Sequence, residues 1–399
     1  MQDEAIQSDC IIVGAGLVGT ILSIALSSQG LNITLIEREK TETQGQKDAR
    51  SLVLSAGTVG ILKSIDAWSA ISSLCTPIEK ILVSEKGVLP RVTLKAIESG
   101  LDALGYSCPA HLLLHNLRKK AFSYKNLRFL DDTEFRDMRL TKLGVQAELY
   151  SSNSLVDVEA RLIVAADGAN SDVRRVSGIS IDKKDYSEVA LVCKVSVSNP
   201  ATATALERFT EQGVLAFIPV GGRDYVSIYC LSNSELMTVK ELDGEAYASL
   251  LEERIGGYLG VLQLVGPRYS YPLISQRALS LRAERLLLLG NAANVVHPNA
   301  AQGLNLGIRD VADLVSLIDC NVPDIGCEKI LSQYTKLRHE DHQKIHAFTD
   351  SLGGIFMSKM PPFIAVRRFV MLIASRSVAF RRKIVASSAA TDAQFCRSN

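Results

Sequence analysis

Short apolar runs that stop at glycine set the rhythm of this chain. Cys10-Ile11-Ile12-Val13 is too short and too β-branched for a helix and reads as a buried strand. It runs into Gly14-Ala15-Gly16-Leu17-Val18-Gly19, after which Thr20–Ser28 reads as a helix closed by Gly30. Asn32–Ile36 follows as a second strand and ends at Glu37. The same pattern recurs twice. Ala160–Ala166 stops at Asp167-Gly168, and Arg285–Leu289 stops at Gly290-Asn291-Ala292-Ala293, ahead of a helix from Gln302 through Leu317.

Elsewhere the period shortens to two. Lys80–Leu94 alternates, with breakers at Gly87 and Pro90, and predicts a hairpin. Glu188–Ser198, Ala205–Thr210, Val214–Pro219 and Asp224–Leu231 are strand-like runs between turn residues, which predicts a largely antiparallel sheet. Helices are expected over Ser55–Leu62, Leu112–Phe122 and Glu241–Ile255, and short strands over Leu127–Phe129, Asp137–Leu140, Val145–Tyr150 and Arg268–Leu273. The fold class is therefore α/β: a Rossmann-like domain interleaved with an α+β substrate domain on a largely antiparallel sheet, plus a C-terminal helical segment. The expected boundaries are 1–78, 99–177 and 275–340 for the first, 79–98 and 178–274 for the second, and 341–399 for the tail.

Composition narrows the function classes. Of 399 residues 47% are hydrophobic, enough for a large core, and the net charge of +1 gives no reason to expect nucleic acid as a partner. The charge is uneven, because residues 358–399 carry eight Lys/Arg and one acid. Pro362–Val385 is apolar but interrupted by Arg367, Arg368, Arg376, Arg381, Arg382 and Lys383, so it does not span a bilayer. Two readings stay open for it: a basic amphipathic helix on a membrane surface or partner protein, or a terminal helix packed on the body with solvated arginines. The eight cysteines form no CxxC pair, and the polar N-terminus has no secretory pattern. The expected location is cytoplasmic, with peripheral contact at the inner membrane face through the tail.

Chemistry concentrates at the three glycine turns. Gly14 allows the tight turn, Gly16 lets a pyrophosphate approach the backbone, and Gly19 lets helix and strand pack closely. The helix N-terminus offers free N–H groups and partial positive charge to phosphate, and Glu37 stands where an acid binds a ribose hydroxyl. Arg50 follows a polar loop and either reaches a phosphate or is an ordinary surface arginine. Asp167 closes a strand and is either a ligand-edge acid or an Asx-turn residue. His339, His342 and His346 share one helical face, for which a solvated surface is the expected reading and no metal site is expected. No Ser/His/Asp triad is visible, and no side chain is singled out as catalytic.

The ordered trio of Gly14–Gly19 with Glu37, Asp167-Gly168 with Ser171 and Arg174, and Leu289–Ala293 with Pro298, Gly303 and Asn305 resembles the flavoprotein aromatic hydroxylases of the p-hydroxybenzoate hydroxylase type. His297–Asp310, HPNAAQGLNLGIRD, is similar to the ubiquinone-biosynthesis hydroxylases within that group. Val83-Ser84, Val92–Leu94, Leu114-His115-Asn116, Glu207–Thr210 with Gly213, and Tyr271-Pro272-Leu273 are similar to those acting on 2-polyprenyl-6-methoxyphenols. The resemblance spans roughly residues 9–352. It implies an FAD-dependent monooxygenase that hydroxylates a polyprenylated methoxyphenol with O2 through a flavin C4a-hydroperoxide. It also implies a quinone-biosynthesis protein complex as a partner. With no second GxGxxG turn, NAD(P)H is expected as a transient reductant.

By the same resemblance Gly14, Gly16 and Gly19 hold the FAD pyrophosphate and Glu37 the ribose. Arg50 and Asn116 approach the cofactor, and Asp167 belongs to a motif that serves FAD and pyridine nucleotide. Gly290 and Asn291 meet the pyrophosphate and ribityl chain, Pro298 borders the flavin ring, and Gly303, Leu304 and Asn305 present backbone to it. Most of the wider family has Asp at the place of Asn291, so a charge near the phosphates is missing here. The same scaffold also serves hydroxylases of soluble phenols and polyprenyl reductases, and a scaffold subunit without activity is a further alternative.

Overall fold

The structure is a computed structural model that describes residues 6–40, 50–142, 144–151, 154–296, 302–318, 322–357 and 361–389; for 347–357, 361–362 and 388–389 only the backbone is described. Its first layer is a six-stranded sheet in the order Arg282–Ala283, Leu286–Leu288, Leu162–Ala165, Cys10–Val13, Ile33–Ile36, Leu127–Leu130. Every pair is parallel except the first. Cys10–Val13 lies at its centre with all four residues buried, as an uninterrupted apolar run must when helices cover both faces of a sheet. The Leu17–Ser28 helix begins directly at the glycine turn, three residues earlier than the expected Thr20. Gly16 already serves as its N-cap, so Leu17 and Val18 form its first turn.

The second layer is an eight-stranded sheet, ordered Asn294–Val295, Leu262–Ala278, Ile181–Val197, Asp224–Ser232, Gly213–Gly221, Thr204–Thr210, Lys80–Glu85, Val88–Lys95. Its pairs are antiparallel except Thr204–Thr210 with Lys80–Glu85. The hairpin at 80–95 thus completes a sheet otherwise built from residue 181 onward. Period-two alternation splits that sheet into two apolar faces. One presents Leu191, Val195, Leu215, Phe217 and Tyr229 to the helix Gly244–Ile255; the other presents Ala190, Val192, Val226, Cys230 and Leu273. The single helix expected over Glu241–Ile255 is two, Asn233–Lys240 and Gly244–Ile255. Ser232 and Glu235 form a capping box that starts the first, and Asp243 caps the second.

Two smaller sheets complete the β structure: Ile6–Gln7 with Ser154–Ala160, Val145–Ser151 and Thr133–Leu140, and Ser51–Ser55 with Gly105–Pro109 and Thr76–Ile78. The chain ends in the helices Glu328–Met357, Pro361–Arg376 and Val378–Ala389. Met371, Ala374 and Val385 from the last two pack against Val92 and Leu94. Two of the tail arginines expected to be solvated are not. Arg367 is buried with Glu85, donating from Nε at 3.0 Å and from a terminal nitrogen at 2.7 Å, and Arg381 holds Glu98 at 2.7 and 2.9 Å. Among the described residues no helix is long and apolar enough to cross a membrane.

Candidate functional site

Register brings the three glycine turns together. Val13 is paired with Ala165 on one side and Ile36 on the other, and Ala165 with Leu288, so the carboxyl ends of four parallel strands lie level. Gly14, Glu37, Asp167 and Gly290 follow these ends directly. Open α/β sheets bind ligands at that edge.

The glycines differ in what they permit. Gly14 has φ +101°, and a Cβ there would fall 2.5 Å from the Ala166 carbonyl oxygen. A Cβ on Gly19 would fall 2.0 Å from the Gly14 carbonyl, so helix and strand touch through it. A Cβ on Gly16 meets nothing within 4 Å. Its absence is required by no protein neighbour, and it leaves the first turn of Leu17–Ser28 bare toward the cleft. That cleft, about 720 Å³ and open to solvent, is lined by Val13, Gly14, Gly16, Glu37, Arg38, Asp167 and Gly168 among others.

Glu37 sits at the floor of this cleft. Its Oε2 accepts the Ala15 N–H at 3.0 Å and its Oε1 the Glu39 N–H at 3.2 Å. Arg118, on the helix Ala110–Ala121, donates from Nε to the Ala15 carbonyl at 3.0 Å and lies 3.4 Å from the Glu37 carboxylate. Both side chains are nearly inaccessible. Burial pulls the Arg118 guanidinium below its ordinary range, and Glu37 opposes that pull. Arg118 therefore ties the glycine turn to Glu37. Asn116, two positions earlier, turns its amide back onto its own helix, donating to the Leu112 carbonyl at 3.0 Å.

Asp167 accepts through Oδ2 the N–H of Val173 at 3.2 Å, six residues on in the helix Asp172–Val176 and not the two-residue reach of an Asx-turn, while its Oδ1 is buried with no hydrogen-bond partner. Burial raises its carboxyl above the usual range, against hydrogen bonds from Ser171 and Val173. Arg174 crosses from this motif to the third, donating to the Ala292 carbonyl at 2.7 Å and the Ala169 carbonyl at 2.8 Å. Gly290 has φ +57°, and Asn291 beside it is exposed. Val18 is the packing partner that Gly290 and Gly307 share.

The first turn of Gln302–Leu317 carries Gly303, Leu304 and Asn305. The Asn305 side chain faces the protein: Oδ1 accepts the Ser55 N–H at 2.9 Å and the Thr58 hydroxyl at 2.7 Å, and Nδ2 donates to the Val53 carbonyl at 2.9 Å. Pro298 lies outside the described residues. Arg50 stacks over Tyr271 at 5.4 Å, at the rim of a second cleft of about 790 Å³. That cleft is largely apolar, with Val192, Val226, Val265 and Tyr269 on its large-sheet side.

The expectation of a solvated histidine face holds for His339, which is exposed, and is corrected for His342 and His346. His342 is buried, with Nε2 2.7 Å from Asp310 Oδ1 and Nδ1 2.5 Å from Asn294 Nδ2; His346 reaches Asn294 Oδ1 at 3.0 Å. Asp310 also accepts from Arg338 at 2.6 Å and from the Gly290 N–H at 3.0 Å. Burial pushes Asp310 up, but His342 and Arg338 outweigh it and hold its carboxyl below the usual range. Packing of Glu328–Met357 against Gln302–Leu317 hides His342, and Asp310 anchors the Gly290 turn. Asp310 was visible as the last residue of HPNAAQGLNLGIRD; its partners, 28 and 32 residues on, were not.

A family model described as "FAD binding domain" matches residues 7–349. The chain belongs to that family of FAD-dependent monooxygenases. It is 31% identical over 366 residues to ubiquinone hydroxylase UbiL of Rhodospirillum rubrum, covering 90% of this chain and 84% of that one. It is 25% identical over 392 residues to 3-demethoxyubiquinol 3-hydroxylase of Escherichia coli, covering 94% and 97%. The solved structure of p-nitrophenol 4-monooxygenase PnpA from Pseudomonas putida shares the fold, with a TM-score of 0.80 at 16% identity over 96% of this chain and 98% of that one. The residues of this monooxygenase fit its cofactor, FAD. The bare backbone at Gly16, the unpartnered Asp167 oxygen and the open cleft between them form a cradle for a dinucleotide.

Proposed function

We propose that this chain is a ring hydroxylase of ubiquinone biosynthesis, acting on a polyprenylated methoxyphenol with O2 and with NAD(P)H as a visiting reductant. The observation that carries the reading is the convergence of three glycine turns on one sheet edge, in a chain whose relatives are named as ubiquinone hydroxylases. Residues 1–78, 99–177 and 275–340 would form the FAD-binding domain, and 79–98 and 178–274 the substrate domain. The largely apolar cleft beside Val192 and Val226 supports a hydrophobic substrate. A cytoplasmic enzyme that visits the inner membrane face, or a quinone-biosynthesis protein complex, suits a substrate with a long isoprenoid chain.

Bound FAD, once reduced, supplies the oxygen-activating chemistry. The protein's part is placement. Gly14, Gly16 and Gly19 let the N-terminus of Leu17–Ser28 meet the pyrophosphate, Glu37 takes the ribose, and Gly290 and Asn291 take the middle of the cofactor. The first turn of Gln302–Leu317, with Gly303, Leu304 and Asn305, directs partial positive charge at the ring and favours its anionic form. Asn305 fixes that turn by its three hydrogen bonds to Val53, Ser55 and Thr58. Deleting the gene in its host should accumulate the unhydroxylated polyprenyl phenol. Normal quinone and no intermediate, in a host without a second such hydroxylase, would overturn the substrate.

A further inference from the structure

Residues 76–107 form an excursion. The chain leaves a small sheet at Thr76–Ile78, gives the hairpin strands Lys80–Glu85 and Val88–Lys95 to the eight-stranded sheet, and returns to the small sheet as Gly105–Pro109. Two cysteines stand at the neck. Cys75 immediately precedes the outgoing strand, and Cys108 lies near the end of the returning one.

Register sets these two thiols face to face. Thr76 pairs with Ser107 and Pro77 with Tyr106, so the next antiparallel position sets Cys75 opposite Cys108. Cys75 keeps the extended backbone this needs, with φ −97° and ψ 135°. Pro77 has no N–H to exchange, so its pair with Tyr106 is a non-hydrogen-bonded one. Such pairs recur at every second position, which makes Cys75 and Cys108 another. Side chains approach most closely there, over Cα separations of about 4.5 Å, and a disulfide spans about 4.4 to 6.8 Å. Both side chains pack on the same core. Each is also the largest influence on the other's ionisation: Cys108 pushes the Cys75 thiol up, and Cys75 pulls the Cys108 thiol down. Cys193 and Cys230, by contrast, occupy opposite faces of the large sheet.

We infer that Cys75 and Cys108 form a reversible dithiol site, which hydrogen peroxide converts to a disulfide that staples the neck of the 76–107 excursion. Cys75 is half-buried and Cys108 fully buried, so peroxide meets Cys75 first. The Cys75 sulfur takes one oxygen as a sulfenic acid, and one water leaves. The Cys108 sulfur then displaces the hydroxyl, which departs with the Cys108 proton as a second water. Two electrons thus pass from the thiols to the peroxide, and a dithiol reductant returns them. The hairpin carries Val92 and Leu94, on which the C-terminal helices rest, so the staple ties that edge of the large sheet to the small one.

The test takes full-length protein, reduced and then freed of reductant, with and without a small excess of hydrogen peroxide. After free thiols are blocked and the protein digested, mass spectrometry should show a peptide linking Cys75 to Cys108, with two fewer blocked thiols. Dithiothreitol should reverse both. The thermal midpoint should rise by about 5 °C on oxidation, because the bond removes freedom from the unfolded chain. C75S should unfold with the reduced wild type and lose that rise. Absence of the linked peptide, Cys75 joined to a second chain or carried on to sulfinic acid, a linked peptide that leaves the midpoint unmoved, or a rise retained by C75S would each overturn the inference. No turnover is read, so the result is independent of the substrate and reductant proposed above.

Discussion

Gly16 and Gly19 look alike in a GxGxxG pattern and have opposite physical burdens. A side chain at Gly19 collides with the Gly14 carbonyl, so Gly19→Ala should cost roughly 2 kcal/mol or more of folding stability, read by urea unfolding. A Cβ at Gly16 meets no protein atom within 4 Å, so Gly16→Ala should leave the apoprotein's unfolding midpoint unchanged while weakening FAD binding at least about tenfold, read by fluorescence titration. Glu207 carries a second residue-scale prediction. It sits on the sheet face shared with Cys230, opposite Ala216 and Val83, with no hydrogen bond or ion pair among the described residues. Burial pushes its carboxyl up to about 6, above the ordinary 4.5. A pKa raised on folding favours the folded state below the unfolded value, and that advantage is lost as pH rises through the folded one. From pH 4.5 to 7 the wild type should therefore lose up to about 2 kcal/mol relative to E207Q, in urea unfolding at each pH. A flat difference across that window would show that Glu207 titrates normally. At this scale Glu37 could be read from its place at the end of a strand. Arg118, its buried partner, could not, because nothing local distinguishes it from Lys119 and Lys120.

Elements are held by contacts that no local pattern announces. The glycine turns and the alternating runs were legible because they are written in consecutive residues. The packing of the tail was not: Arg367 finds Glu85 across 282 positions of sequence, and the same apolar-basic stretch suited a membrane surface or the protein's own sheet. It serves the sheet with its inner face. Removing Arg367 leaves the buried Glu85 carboxylate only the half-exposed Arg368 at 3.5 Å, so Arg367→Ala should cost about 3 kcal/mol and release Pro361–Arg376 to limited proteolysis before the rest of the chain. Replacing both partners, Glu85→Gln with Arg367→Met, should recover much of the loss; no recovery would place the cost in packing rather than charge. The histidine helix teaches the same lesson. A spacing of three and four fixes a face but not its environment, and Asp310 from a neighbouring helix decided it.

Across the whole molecule the site is assembled from distant segments. Cys10–Val13, Ile33–Ile36, Leu162–Ala165 and Leu286–Leu288 are far apart in sequence and adjacent in one parallel sheet. Their parallel pairing brings their carboxyl ends to one edge. That convergence makes a modest glycine pattern into a cradle that fits a dinucleotide cofactor. The central claim is that the cradle loads FAD and the loaded protein inserts one oxygen atom into a prenylated phenol. The direct test is to supply purified FAD-loaded protein with NAD(P)H, a polyprenyl methoxyphenol and 18O-labelled O2, and to weigh the product. One labelled oxygen per hydroxylated ring is the result this account predicts. Consumption of reductant and O2 with unlabelled or unchanged phenol, or protein that takes up no FAD, would contradict it.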